Sequence, residues 1–233
     1  MLIIICVFYL GCLSGSFLYC IAGLWTRHKF HLLARSKCDY CQSSLRWYEL
    51  LPIISYFLQR GKCRQCRHTL SVSYLLSEVF SGCLFLHTFF FFTYPPLHSL
   101  PTYLILLLMS FCDLCERWVP DTLQVCLFIW LLYLFAWYQH DIILFLFNCA
   151  LFGCFSLAFY FLRHNWIGGA DIKLLLILQF ALPVTQFPLF LFIAASLGLV
   201  FYFIRSCLTK DQTQEIPFIP FISLSFYIVS LYF

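Results

Sequence analysis

The sequence predicts an all-α polytopic membrane protein of about eight transmembrane helices with one small cysteine-bearing loop, and three observations carry that prediction. First, 63% of the 233 residues are hydrophobic and 10% are charged, against about 25% charged in an ordinary soluble domain. A load that includes 29 Phe exceeds what a water-soluble interior hides, so the bilayer is the solvent. Second, apolar runs of helical length follow one another, separated by short polar or proline-bearing turns. Third, nine of the 14 Lys and Arg fall between Arg27 and Arg67, opposed there only by Asp39 and Glu49. An excess of basic residues beside spans marks a cytoplasmic loop. A basic patch also suits nucleic acid, but a segment tied between two spans argues against that partner, and none is expected.

The first span runs from about Leu2 to Trp25. Its start lacks a basic n-region and the apolar run continues without a break, so it reads as a retained helix rather than a cleaved signal peptide. A polar segment follows, from Thr26 to about Thr69. The second span covers roughly Val72 to Thr93, and Tyr94-Pro95-Pro96 makes the turn. The third runs from about Ser99 to Cys112, the fourth from Thr122 to Tyr138, and the fifth from about Ile142 to Leu162. A largely apolar stretch of 33 residues runs from Ile172 to Ile204, where about 20 suffice to cross the core. Pro183 and Pro188 interrupt it, and proline breaks a helix interior, so the stretch splits into two spans with a turn near Pro183 to Pro188. The eighth span is about Ile216 to Phe233.

Charge supports the split. With the Arg27–Arg67 segment inside, Arg117, Arg163, Lys173, Arg205 and Lys210 also fall inside, and the outer turns near Pro95, His140 and Val184 carry no Lys or Arg. As a single span, Ile172–Ile204 would put Arg205 and Lys210 outside, against the positive-inside rule. The sixth span is short unless it begins near Trp166. The domain division is then 1–25 as the first transmembrane helix, 26–71 as the cytoplasmic loop and 72–233 as the remaining transmembrane domain. No internal repeat, low-complexity tract or long linker stands out.

Within the loop, Cys38-Asp-Tyr-Cys41 and Cys63-Arg-Gln-Cys66 are two C-x2-C pairs with 21 residues between them. Paired knuckles of this kind supply four thiolates to a tetrahedral zinc site. Lys37, Lys62, Arg64 and Arg67 flank them and favour the thiolate, the form that binds metal. Two disulfides are the other reading, disfavoured in a reducing cytoplasm. Four thiolates leave no open position for water, so the zinc-ribbon-like loop is expected to be structural. The other ten cysteines read as small apolar side chains, the isolated Cys112/Cys115 pair among them.

Acidic residues are rare, ten in all, and charge near a membrane core is costly and usually functional. Asp113 closes the third span, and Asp171 opens the sixth in Gly168-Gly169-Ala170-Asp171-Ile172-Lys173. Threading puts both at the inner face. Two carboxylates sharing a site do not ionise together. One then serves as general base toward water while the other, protonated, polarises a carbonyl and later donates its proton. That is aspartic-protease chemistry, and it needs no metal. Gly168 and Gly169 allow a close backbone approach. Other readings stay open at this level. Asp121, after Pro120, suits an N-cap. Asp171 suits a helix N-terminus, and Asp113 could pair with Arg117 four residues on. A proton-coupled transporter, or a membrane carrier or scaffold that docks partners through its zinc loop, would carry such residues too.

The same motifs, taken in order, resemble the prepilin peptidase (type IV leader peptidase) family. The likeness runs through Gly15-Ser-Phe-Leu18, Cys38-x2-Cys41, Leu45-Arg-Trp-Tyr-Glu-Leu-Leu-Pro52, Ser55-Tyr56 and Arg60-Gly-Lys-Cys63-x2-Cys66. It continues through Glu78 where the loop enters the second span, Asp113 with Pro120-Asp121, and Gly168-Gly-Ala-Asp171-x-Lys173-Leu174. Ala170 stands where the family usually has Gly, and the first span ends Tyr19-Cys-Ile-Ala-Gly-Leu-Trp25 rather than in Arg-Leu-Pro. The resemblance implies a membrane aspartic endopeptidase with residues 72–233 as the peptidase domain. Asp113 and Asp171 would be catalytic, and Asp121, Gly168, Gly169, Lys173 and Glu78 would bind substrate or support the site. It implies a prepilin or pseudopilin precursor as substrate, cut at the cytoplasmic face of the inner membrane. It also implies possible N-methylation of the new N-terminus with S-adenosylmethionine, linked to the cysteine loop.

Overall fold

The computed structural model describes residues 1–26, 36–38, 40–90, 96–138, 169–183, 185–208 and 216–231, with isolated positions between 147 and 157. The expected fifth span and the outer turns at Pro95, His140 and Val184 lie outside the described residues. Regular structure among the described residues is helical, with two isolated β-bridges in the cysteine loop. The chain divides into two units, residues 1–100 and 101–233.

In the first unit, α1 (Leu2–Thr26) packs along α3 (Val72–Phe90). Both are long and apolar enough to cross a membrane. Lipid tails are as apolar as Leu, so such helices associate by close backbone packing and interhelical hydrogen bonds rather than by the hydrophobic effect. Small residues provide both here. A Cβ at Gly11 would lie 2.7 Å from the Ser81 carbonyl oxygen, and one at Gly15 would collide with Ser81 Oγ. The Ser81 hydroxyl donates to Gly11 O at 2.8 Å. Between the two spans lie a 3-10 turn (Trp47–Leu50), the short α2 (Ile54–Leu58) and the cysteine loop.

The second unit begins within α4 (Pro96–Glu116), whose buried face from Thr102 to Asp113 forms its core. It continues with α5 (Asp121–Tyr138), α6 (Gly169–Gln179), α7 (Phe187–Leu208) and α8 (Ile219–Ser230). A polar seam joins α4 to α8. Tyr103 and Ser230 share a hydrogen bond at 2.8 Å, Ser110 donates to Ser223 at 2.9 Å, and Asp113 meets Ile219 at 3.1 Å. Positions 103, 110 and 113 lie on one face of a 3.6-residue helix. Their partners run in the opposite order, so the two helices are antiparallel. Phe190 of α7 fills the space beside Phe226, edge to face at 6.4 Å, fully buried.

Of the expected spans, α4 and α7 are also long and apolar enough to cross, and α5 and α8 are shorter apolar helices. The Ile172–Ile204 stretch does break: one helix ends at Gln179, turn residues follow at Phe180–Ala181 and again at Thr185–Gln186, and the next helix starts at Phe187. Pro188 then occupies the second position of α7, where a missing N–H costs nothing. α4 runs four residues beyond the expected end at Cys112, so Asp113 sits within its last turn rather than after it. α6 starts at Gly169 and is 11 residues long, about 17 Å, short of the ~30 Å hydrocarbon core.

Candidate active site and metal centre

The cysteine loop is built from two copies of one turn. In the first, Cys38 N–H donates to Ser43 O at 2.9 Å and Gln42 N–H to Cys38 O at 3.0 Å. In the second, Cys63 N–H donates to His68 O and Arg67 N–H to Cys63 O, both at 2.9 Å. Each turn needs a left-handed residue at the same place, Gln42 at φ 56° and Arg67 at φ 55°. Bridges Lys37–Ser44 and Lys62–Thr69 close the two bases. The expectation of no internal repeat is thereby corrected. Lys-Cys-x-x-Cys-x-x-Ser/Thr recurs 25 positions on, too short to register as a domain repeat but long enough to fix one turn geometry twice.

The turns bring four sulfurs together, all within 4.8 Å of one another. Cys38 and Cys66 are 3.9 Å apart and Cys41 and Cys63 are 4.0 Å apart. Four sulfurs at ~2.3 Å from one zinc stand about 3.8 Å apart, so the cluster has the spacing of a structural metal site, compatible with zinc. All four cysteines are free of disulfides. The Ser43 hydroxyl and backbone N–H pull Cys41 down to about 6, and the Cys66 and Gln65 backbone N–H groups lower Cys63. Cys66 accepts from the His68 backbone yet is pushed up to about 11 by burial and by its three sulfur neighbours. Four thiols this close share their protons unevenly, and a divalent cation would replace those that remain. Across the two turns Tyr40 stacks on His68 at 3.2 Å. Glu49 accepts the Arg46 backbone N–H at 2.8 Å and lies 3.9 Å from Arg64, whose guanidinium sits over Tyr48.

Glu78 belongs to this same unit. It is 7% exposed, and its Oε2 accepts the Ile53 backbone N–H at 2.7 Å, with a further bond from Ser16. Ile53 is at φ 63°, a conformation a β-branched residue adopts only where its surroundings impose it. The buried carboxylate thus fixes the backbone just ahead of α2.

The two aspartates lie in the second unit. Asp113, 7% exposed, accepts the Ile219 N–H at 3.1 Å. Ile219 opens α8, and Phe218 before it offers no side-chain cap. The first N–H groups of a helix lack internal partners, and the Asp113 carboxylate takes one of them. Arg117 acts on Asp113 electrostatically, so the anticipated neighbour is present, but the bond that orients the carboxylate comes from a distant helix. Asp171 sits in the first turn of α6, close enough that the Asp113 charge acts on it. The fold brings the two carboxyl groups into one electrostatic neighbourhood from α4 and α6.

Two contacts bind α5 to the start of α6. Lys173 Nζ donates to Asp121 Oδ1 at 2.7 Å, with both side chains exposed. The Asp121 carboxylate at the head of α5 therefore serves an interhelical pair where an N-cap was anticipated. Inside it, Gln124 Nε2 donates to the Ala170 carbonyl at 3.0 Å, one residue before Asp171. Gln124 is 2% exposed. It was missed from sequence, although an amide two positions into an apolar run is a signal, since buried amides need partners. Gly169 is exposed at the α6 start, and among the described residues nothing lies within 4 Å of where its Cβ would stand. Gly168 lies outside the described residues.

Residues 9–94 match the model of the bacterial Peptidase A24 N-terminal domain, and residues 100–203 match that of the type IV leader peptidase family. A prepilin leader peptidase/N-methyltransferase of Bacillus subtilis is 28% identical, covering 97% of this chain and 93% of its own length. Proteins of the same name from Burkholderia pseudomallei, at 30% identity, and from Vibrio cholerae, at 26%, cover 86% and 84% of this chain and 68% and 80% of their own lengths. No solved structure matches. Together with the run of apolar helices, these matches make the chain a multi-pass protein of the bacterial inner membrane. It belongs to the type IV leader peptidase family.

Proposed function

We propose that this chain is an aspartic endopeptidase that removes the leader from prepilin or pseudopilin precursors at the cytoplasmic face of the inner membrane. The observation that supports it most directly is the placement of Asp113 and Asp171, the first largely buried, at the ends of two apolar helices of one unit, near enough for the charge of one to act on the other. Two such carboxyl groups with one proton between them suffice for peptide hydrolysis. The ionised one takes a proton from water as the water oxygen bonds to the scissile carbonyl carbon. The protonated one polarises the carbonyl and then gives its proton to the departing amine as the C–N bond breaks. Ile219 N–H holds Oδ2 of Asp113, and in this reading Oδ1 is the oxygen that engages the attacking water. Asp121, Lys173 and Gly169 keep supporting roles around the start of α6. Arg and Lys concentrated in the cysteine loop, with none in the expected outer turns, support the cytoplasmic orientation.

Cys38, Cys41, Cys63 and Cys66 would hold zinc, which would tie the two turns into one folded loop. Methyl transfer from S-adenosylmethionine to the freed amine is the companion activity, supported by the two-activity names of the relatives; no residue is assigned to it. The decisive experiment is to incubate the purified chain with a precursor peptide, with and without S-adenosylmethionine, and read product masses. Expected are a single cut after the basic leader, lost in Asp113→Asn, and a methyl increment only with the donor. An Asp113→Asn protein that still cuts would overturn the assignment.

A further inference from the structure

The loop between α1 and α3 is polar and basic in composition, yet it exposes large apolar side chains. Trp47 is 77% exposed, Phe57 66% and Leu58 67%, with Leu50 and Ile54 also exposed. Ile54, Phe57 and Leu58 stand at i, i+3 and i+4 of α2, one face of a helix. Trp47 and Leu50 have the same spacing in the 3-10 turn that packs on α2. Monomeric proteins rarely leave such a group bare in water.

The Glu78 tether says what covers it. Glu78 is the seventh residue of α3, so its Cα lies about 9 Å along the span from the loop end. Helical side chains lean back toward the N-terminus. The bond to Ile53 N–H at 2.7 Å therefore holds the backbone entering α2 beside the first turns of a transmembrane helix, at the depth where headgroups meet acyl chains. Exposed Arg46, Arg60, Lys62 and Arg64 accompany the apolar residues in the same segment. Aromatic and aliphatic side chains with basic neighbours make up an interfacial segment that anionic lipid holds.

We propose that residues 47–58 lie in the membrane interface, with Trp47, Phe57 and Leu58 sunk into the headgroup region and the basic side chains on anionic headgroups. The cysteine loop would then be carried on the bilayer surface at a fixed depth. This inference stands apart from the proteolytic reading.

The test uses the full chain in vesicles of phosphatidylcholine and phosphatidylglycerol, with or without bromine placed shallow on the acyl chains. The Trp47 signal is the difference between the wild-type protein and Trp47→Phe. Bromine should remove roughly half or more of that signal, and aqueous iodide should barely touch it. Glu78→Leu, which frees Ile53, should weaken the bromine effect, whereas Glu78→Gln, which keeps an acceptor, should preserve it. A Trp47 signal indifferent to bromine and open to iodide overturns the proposal. So does a Trp47 shielded only when a precursor peptide is added, which would make the face a peptide-docking surface.

Discussion

The cysteine loop and the aspartate pair are assembled in different ways. Cys38 and Cys66 are 28 positions apart, and their geometry is set by two local turns that each fix their own pair of sulfurs. Asp113 and Asp171 are 58 positions apart, and the hydrogen bonds that place them reach across helices. Asp113 is oriented by a backbone N–H 106 residues away, and the start of Asp171's helix is held by Gln124 and Asp121 of α5. Disturbing a local turn should unfold that turn, whereas disturbing an assembled pair should remove chemistry while leaving the fold. A scaffold that worked through its zinc loop would show the opposite hierarchy.

The largest separation between the two regions is expected from one assay of precursor cleavage. Asp171→Asn, nearly isosteric, should lower the rate by ~10³-fold or more, since a general acid or base contributes ~10²–10⁴ and the two carboxyl groups act as one unit. Its level in the membrane should not change. Cys38→Ser, or a strong chelator, should release the bound metal by elemental analysis and unfold the loop, because metal binding and folding are one equilibrium in such sites. Cleavage should fall about tenfold or less by the same reasoning. Full cleavage by Asp171→Asn with total loss in Cys38→Ser would favour the scaffold.

Gln124 tests the assembly itself. Gln124→Met keeps the length and removes the amide that anchors Ala170. Losing that bond should cost ~1–3 kcal/mol of stability in a thermal melt, because the Ala170 carbonyl loses its buried donor. The cleavage rate should fall about tenfold through kcat, with KM little changed, because Asp171 is displaced rather than removed. An unchanged kcat would mean that the start of α6 is held without it.

How much of this was legible in the sequence follows from the same contrast. The long apolar helices, the break near Pro183 and the clustering of the four cysteines could be read because each signal sits within a few residues of its consequence. Asp113 and Asp171 could be picked out because acids are rare in an apolar chain. What held them could not. The Asp113 partner is a backbone N–H of Ile219, and every residue but proline carries one, so nothing in the residue type marks it. The longer α4 was missed because helix ends depend on capping and packing as much as on apolar content. Ile53 in a left-handed conformation was unreadable too, since its cause is a carboxylate 25 positions away.

The smallest expected effect belongs to the contact that looks strongest on distance alone. Lys173 Nζ and Asp121 Oδ1 are 2.7 Å apart, but their side chains are 55% and 73% exposed. Exposed ion pairs gain little because water screens them and two long side chains lose freedom, so the pair contributes ~1 kcal/mol or less. Gln124, buried and bonded to the same helix start, carries more of the alignment. Lys173→Met and Asp121→Asn should therefore each lower cleavage by no more than ~3-fold, with the same loss in the double variant as in either single one, as expected of a pair that acts together. Raising salt should shrink the wild-type advantage, because exposed charges are screened within ~10 Å at 0.1 M. A loss from Asp121→Asn as large as that from Asp171→Asn, or one that salt leaves untouched, would move Asp121 from the alignment of α6 into the reaction itself.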